Sequence, residues 1–171
     1  MKRKVTLTNQ NVARANSRLA YLTGQRPADA LKMTAHDIID GHLIVTQEKT
    51  KQPLRIKLVG ELAALLERIE KRKAGHKALT AALLVNEYGK RVTAPTLRSQ
   101  FDKARMAAAA KAPGMAKAIK EFRFYDLRAE AADDAVDGRG KEAARDLLSH
   151  DSVKTTQRHY LRRGKIVTPT K

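Results

Sequence analysis

Apolar residues recur at helical spacing through most of this chain and change to a period of two only once, and that single change fixes the class of fold. Val12, Ala15, Leu19 and Leu22 make one helical window, with Thr8 and Asn9 ahead of it as candidate caps. Leu62, Leu65, Leu66 and Ile69 make a second, and Leu97, Phe101, Ala104 and Ala108 a third. These windows are rich in Ala, Lys, Arg, Glu and Leu, all good helix formers. The exception begins at Leu43-Ile44-Val45-Thr46, and beyond it Leu54, Ile56 and Leu58 alternate with Arg55 and Lys57. That pattern predicts a β-hairpin with one strand half buried and half basic, and a polar tip, Gln47 to Pro53, carrying Lys49 and Lys51. The expected fold is mainly α with a small antiparallel β-hairpin or sheet.

Further helices are expected from about Tyr125 to Asp137, from Lys141 to Leu148 and from Ser152 to about Arg162, with Asp151 or Ser152 as the cap of the last. Between Ala107 and Lys120 the sequence reads as a helix end, a Pro113-Gly114 turn and a flexible basic connection. Lys165 to Pro169 reads as a short strand or a docking tail. No internal repeat is evident.

Thirty-five Lys and Arg residues face 18 Asp and Glu, a net charge of +17, so the chain seeks phosphates. Aromatics are only 4 % and Trp is absent, which argues against a surface that stacks single-stranded bases and favours a duplex partner. The absence of cysteine excludes disulfides, thiolate zinc sites and cysteine nucleophiles. No window approaches the ~18 apolar residues of a membrane span. The basic N-terminus leads into polar Thr6, Thr8, Asn9 and Gln10 rather than an apolar signal core, so a soluble, cytoplasmic protein is expected.

Four places combine reactive groups with local structure able to present them. Arg26 lies between Gly24, suited to ending a helix, and Pro27, suited to starting one; a cation at a helix start fits an anion beside it. Arg128 follows Phe124-Tyr125-Asp126-Leu127, His150 follows the apolar Leu147-Leu148, and Tyr160 falls near the end of the last helix. Singly, each has a plain reading. Arg26 is then a solvated loop arginine, Arg128 a partner of Asp126 or Asp29, His150 a turn residue and Tyr160 a half-buried anchor.

Their order and spacing carry more than any one of them. TGxR followed by PxD, a Lys-Thr hairpin tip, Tyr-x-Leu-Arg, Leu-x-His-Asp and a later Tyr together resemble the catalytic domain of the tyrosine recombinase, or phage integrase, family from Thr23 to Tyr160. The resemblance implies roles. Arg26 and Arg128 match the paired arginines that clamp a scissile phosphate, Asp29 the acidic residue supporting the first, and His150 the later His position. Tyr160 matches the nucleophile that forms a 3′-phosphotyrosine link to DNA, and Lys49 the hairpin lysine that protonates the departing 5′-oxygen, with Lys51 as its competitor. Neither a metal nor another cofactor is implied. The departure is Tyr125, where many members have His: a phenol can donate to a phosphate oxygen but is a poor base near neutral pH. His159, beside Tyr160, is the substitute base to be weighed, although adjacent helical residues point apart.

Arg91, Arg98, Lys103 and Arg123, with Lys51, Lys111, Lys117, Lys120 and Arg139, are expected to line or flank a DNA-binding face. The chain is expected to be a single catalytic domain over residues 1–171, lacking the N-terminal domain with which family members clamp the duplex, and so a piece of a longer protein. Such a piece is expected to be monomeric, with a tetramer on double-stranded DNA, and accessory DNA-bending proteins, for the full-length enzyme. The competing readings are a non-enzymatic basic nucleic-acid-binding protein and a type IB topoisomerase.

Overall fold

A computed structural model describes residues 9–49, 51, 53–75 and 80–163. Their helices are α1 (Asn9–Thr23), α2 (Pro27–Lys32), α3 (Gly60–Ala74), α4 (Ala94–Lys111), α5 (Ala116–Glu121), α6 (Asp126–Arg139), α7 (Lys141–Leu148) and α8 (Val153–His159). Strands β1 (Ile38–Ile39), β2 (His42–Thr46) and β3 (Pro53–Lys57) form one antiparallel sheet in the order β1-β2-β3. No helix among the described residues is long and apolar enough to cross a membrane. Thr8 and the tail from Lys165 to Pro169 lie outside the described residues.

The hairpin stands where the change of period places it. Leu43 pairs with Ile56 and Val45 with Leu54, while Arg55 and Lys57 stay exposed on the other face of β3. Sequence reading misses the third strand: two residues, Ile38 and Ile39, are too short for a period to show. Leu43 and Val45 join Leu19, Leu62, Leu65, Leu66, Ile69, Leu83, Leu84 and Leu97 in the larger of two cores. A buried leucine in such a cluster contributes about 1.5–3 kcal/mol, so α1, α3, α4 and the sheet hold one another through this face.

The smaller core packs α6 against α7 around Ala129, Ala132, Ala135, Ala144 and Leu148, and it takes in Tyr160. Its small residues let the two helices approach closely. Helix α6 also meets α1, which explains why Arg128, Ala129, Ala131, Ala132, Asp133 and Ala135 are all buried on one helix without a simple amphipathic stripe.

Three expectations are corrected. The segment after Ala112 is no flexible connection: it forms a 3-10 turn, Pro113–Met115, and then α5, whose Ala and Lys residues have helical propensity enough once Pro113 has begun a new turn. Helix α8 stops at His159, with Tyr160 as its C-cap, so Tyr160 is positioned by a helix end. On α4 the buried alanine at the far end is Ala109, and Ala108 is exposed.

Candidate active site

The two cores meet along a seam built from three chain reversals: Gly24 to Arg26 between α1 and α2, Gln47 and Glu48 after β2, and Leu147 to His150 at the end of α7. Gly24 makes the first possible. Its φ of +63° suits glycine, and a Cβ there would lie 2.8 Å from Cγ of Leu147. Gln25 and Gln47 are buried at this seam, and Gln47 Nε2 donates to Gln25 Oε1 at 2.8 Å and to the Leu148 carbonyl at 3.1 Å. Gln25 Nε2 in turn donates to the carbonyls of Thr23 and Leu147.

On this frame sits Arg128, the largest fully buried side chain described. Its Nη1 donates to the carbonyl of Gly24 and its Nη2 to that of Leu148 at 2.7 Å. Neither Asp126 nor Asp29 is its partner: Asp126 pairs with Arg162 and Asp29 lies beside Arg26. Burial, and then the nearby charge of Arg26, push the Arg128 guanidinium below its ordinary pKa. Its Nε is buried with no hydrogen-bond partner among the described residues, and the ring of Tyr160 lies against the same guanidinium.

Arg26 is held at the rim. Nη1 donates to Oε1 of Gln47 at 3.2 Å and lies 3.8 Å from Oδ2 of Asp29. The buried Asp29 spends its other oxygen on the backbone N–H of Glu48, 3.0 Å away, so one carboxylate fixes both the arginine and the start of the β2–β3 connection. Lys49, in that connection, is exposed, as is Lys51, and no hydrogen bond or ion pair among the described residues joins either to the arginines, His150 or Tyr160.

His150 reaches the site through an unusual helix ending. Ser149 adopts the left-handed conformation at φ 50°, and the N–H of His150 returns to the carbonyl of Arg145 at 3.0 Å, closing α7 in the manner usually entrusted to glycine. Nε2 of His150 faces Nη2 of Arg128 at 3.5 Å and Nδ1 lies 2.9 Å from Oγ1 of Thr156. A guanidinium can only donate, so Nε2 is the acceptor and Nδ1 carries the hydrogen toward Thr156. Burial, followed by the charges of Arg128 and Arg26, lowers the imidazole pKa to about 4, which leaves it neutral near pH 7.

Tyr160 completes the group. It is 6 % exposed, its ring centre lies 4.8 Å from that of His150 and 5.4 Å from the guanidinium carbon of Arg128, and its hydroxyl accepts a hydrogen bond from Tyr125. Burial raises the Tyr160 phenol, but the Tyr125 hydrogen bond and the charges of Arg128 and Arg26 outweigh it and bring the pKa below its ordinary value. After Tyr160 the chain is clasped to α6. The buried Asp133 carboxylate accepts the backbone N–H groups of Arg162 and Arg163. The Arg163 guanidinium spans Glu130, Asp134 and Asp137, and Arg162 binds Asp126.

The structure therefore gathers Arg26, Arg128, His150, Tyr160 and Tyr125, with Asp29 behind them. It leaves His159 exposed, with no side-chain hydrogen bond among the described residues. Arg91 is occupied in donating to the carbonyls of Leu31 and Lys32 at the end of α2. Arg98, Lys103, Arg123, Lys111, Lys117, Lys120 and Arg139 are exposed.

Residues 4–165 match the Phage integrase family. The chain belongs to that family. None of the curated proteins compared with it matches. Among solved structures it is similar to a lambda integrase dimer bound to a COC′ core site, with a TM-score of 0.71 and 21 % identity over 94 % of this chain and 45 % of that one. The lambda integrase catalytic core gives a TM-score of 0.63 and 21 % identity over 80 % of this chain and 78 % of that one. The XerH site-specific recombinase bound to palindromic difH substrate gives 0.68 and 17 % identity, over 96 % of this chain and 45 % of that one. The chain thus spans about half the length of the DNA-bound integrase and XerH chains it resembles.

Proposed function

We propose that this family member is the catalytic part of a site-specific DNA recombinase that cuts and rejoins strands through a covalent tyrosine intermediate. The observation that carries this is the convergence of Tyr160 with His150 and Arg128, the two ring centres 4.8 Å apart and the guanidinium carbon 5.4 Å from the phenol ring, beside a rim where Arg26 is held by Gln47 and Asp29. In the proposed step the Tyr160 oxygen attacks the scissile phosphorus and the bond from phosphorus to the 5′-oxygen breaks. The phenol proton leaves to water as the new bond forms, His150 packs against the Tyr160 ring, and Lys49 gives a proton to the departing 5′-oxygen. Arg26 and Arg128 meet the charge that grows on the non-bridging oxygens, each through the directed donors of its guanidinium. Attack by another strand's 5′-hydroxyl runs the step backwards and joins it, with the energy of the phosphodiester retained.

Double-stranded DNA is the proposed partner, held by the exposed Arg98, Lys103 and Arg123 together with Lys51. Assembly on DNA is proposed by analogy with the lambda integrase dimer on its core site. Tyr160 sits in the pocket formed by its own chain's arginines, which supports cleavage in cis. The family match sets the non-enzymatic and topoisomerase readings behind this one.

The test is covalent trapping. Nicked duplexes carrying a randomised core are incubated with the protein, and complexes that survive denaturant are isolated and their DNA sequenced. Wild type is expected to yield one enriched core, and Tyr160→Phe none. Equal trapping by both would overturn the assignment of the nucleophile. Lys49→Ala is expected to cleave an oxygen-linked substrate poorly but to recover on one whose leaving group is a 5′-thiolate, which needs no proton; recovery by Lys51→Ala instead would assign the acid to Lys51.

A further inference from the structure

Tyr125 occupies a position for which the proposed reaction has so far found no use, and the structure gives it a partner. Its hydroxyl donates to the hydroxyl oxygen of Tyr160, and the two rings lie with centres 5.8 Å apart. Two phenols that share one hydrogen bond need one donor and one acceptor, and their surroundings decide which is which. Arg128 of α6 and Arg26 of the α1–α2 turn place positive charge near Tyr160, and His150 offers it only a neutral ring. Both arginines act on Tyr125 as well, so geometry sets the direction: the Tyr160 oxygen accepts the bond and its ring lies 5.4 Å from the Arg128 guanidinium carbon, while Tyr125 donates from the mouth of the pocket, 43 % exposed.

We propose that Tyr125 is a further catalytic residue, a fixed donor that aims the Tyr160 oxygen and stabilises it as it loses its proton. This rests on the recombinase reading of the site. As the phenol proton leaves, the Tyr125 O–H strengthens its bond to the developing phenolate. Once that oxygen is esterified to phosphorus it becomes a poor acceptor, and the Tyr125 hydroxyl is free to turn to a phosphate oxygen. No proton leaves Tyr125 at any stage. That is the property a phenol brings here: burial and the bond to Tyr160 push its own pKa up to about 12, so it remains a donor throughout the working pH range.

Two readouts test the proposal, one of them without DNA. The chain has four tyrosines, and their ionisation is followed by phenolate absorbance. In wild type one of them is expected to titrate below the ordinary value, a step that Tyr160→Phe removes and Tyr125→Phe moves upward by about one pH unit. The second readout is the rate of covalent complex formation on the enriched nicked duplex as a function of pH. Tyr125→Phe is expected to be about 10- to 100-fold slower at pH 7 and to approach wild type as the pH rises, because the lost hydrogen bond is to a charged acceptor. A purely structural role for Tyr125 would instead lower the rate equally at every pH. Tyr125→His, which retains an N–H donor, is expected to restore most of the rate. An unmoved titration step in Tyr125→Phe, or a uniform loss of rate, overturns the proposal. Failure of wild type to trap any DNA defeats the recombinase reading instead, and the absorbance titration still decides the contact.

Discussion

Nη2 of Arg128 donates to the main-chain oxygen of Leu148 at 2.7 Å, so the last residue of α7 holds the central cation of the site. The other contact is of the same kind, since Gly24 directly follows the end of α1. Helix C-termini carry unsatisfied carbonyls and partial negative charge. Two of them converge on one guanidinium and restrain it without neutralising it, as a carboxylate would. The full positive charge remains available to an anion.

Arg128→Lys is the substitution that separates charge from geometry. An ammonium can reach one of the two carbonyls and cannot reproduce the fork. The variant is expected to lose about 2 kcal/mol in urea denaturation, as a bond from a charged donor to a buried carbonyl is lost. Covalent complex formation is expected to fall by about 100- to 1000-fold, the usual loss when a directed donor to a transition-state oxygen is removed.

The His150 imidazole is expected to remain neutral well into acid, and its ring-proton NMR signal should move with a midpoint near pH 4 in the DNA-free protein. The sign for stability follows. A histidine whose folded pKa is depressed favours the folded state fully above the unfolded value of 6.5, and that contribution fades as the pH falls toward about 4. His150→Gln should flatten the loss of stability over this interval, measured by thermal unfolding at successive pH values.

Gly24→Ala carries two costs. One is the positive φ, the other the 2.8 Å approach to Leu147. Together they predict a loss of about 2–4 kcal/mol, since left-handed backbone in a residue with a Cβ costs ~1 kcal/mol and overpacking ~1–3 kcal/mol. Because Gly24 also presents its carbonyl to Arg128, covalent complex formation should fall further than the residual folded fraction accounts for.

Asp133 makes the clasp behind Tyr160 sensitive to a single side chain. Replacing it with Asn leaves one acceptor oxygen for the two backbone N–H groups of Arg162 and Arg163. Tryptic cleavage after Arg162 and Arg163 is expected to be about tenfold faster in Asp133→Asn, corresponding to ~1.4 kcal/mol in local opening. High salt should speed cleavage in both proteins by screening the exposed pairs of Arg163 with Glu130, Asp134 and Asp137.

What the sequence discloses here depends on whether a residue acts through its type or through its main chain. The period of two at Leu54, Ile56 and Leu58 shows the hairpin, and the helical windows show α1, α3 and α4, because burial needs one face and one face needs a period. Arg26, Arg128, His150 and Tyr160 are legible because each offers chemistry that few residue types can replace. Gln25 and Gln47 are not: glutamine is ordinarily a surface residue, and no local pattern marks two of them as the buried link between the cores. The contact of Tyr125 with Tyr160 joins the residue just before α6 to the one just after α8, and only packing brings them together. Helix α5 was hidden by the Pro-Gly pair, a breaker in sequence that here starts a new turn.

The two carbonyls that grip Arg128 also set a limit on mutational mapping. Truncating the side chain of Leu148, or adding one at Gly24, leaves the peptide oxygen in place, so an alanine scan registers only the indirect damage. The support is written into the backbone and is inherited by whatever residues occupy those two positions, provided the turns survive. Replacing the peptide unit after either residue with an ester, which weakens the carbonyl as an acceptor, is the chemical change that addresses the grip itself.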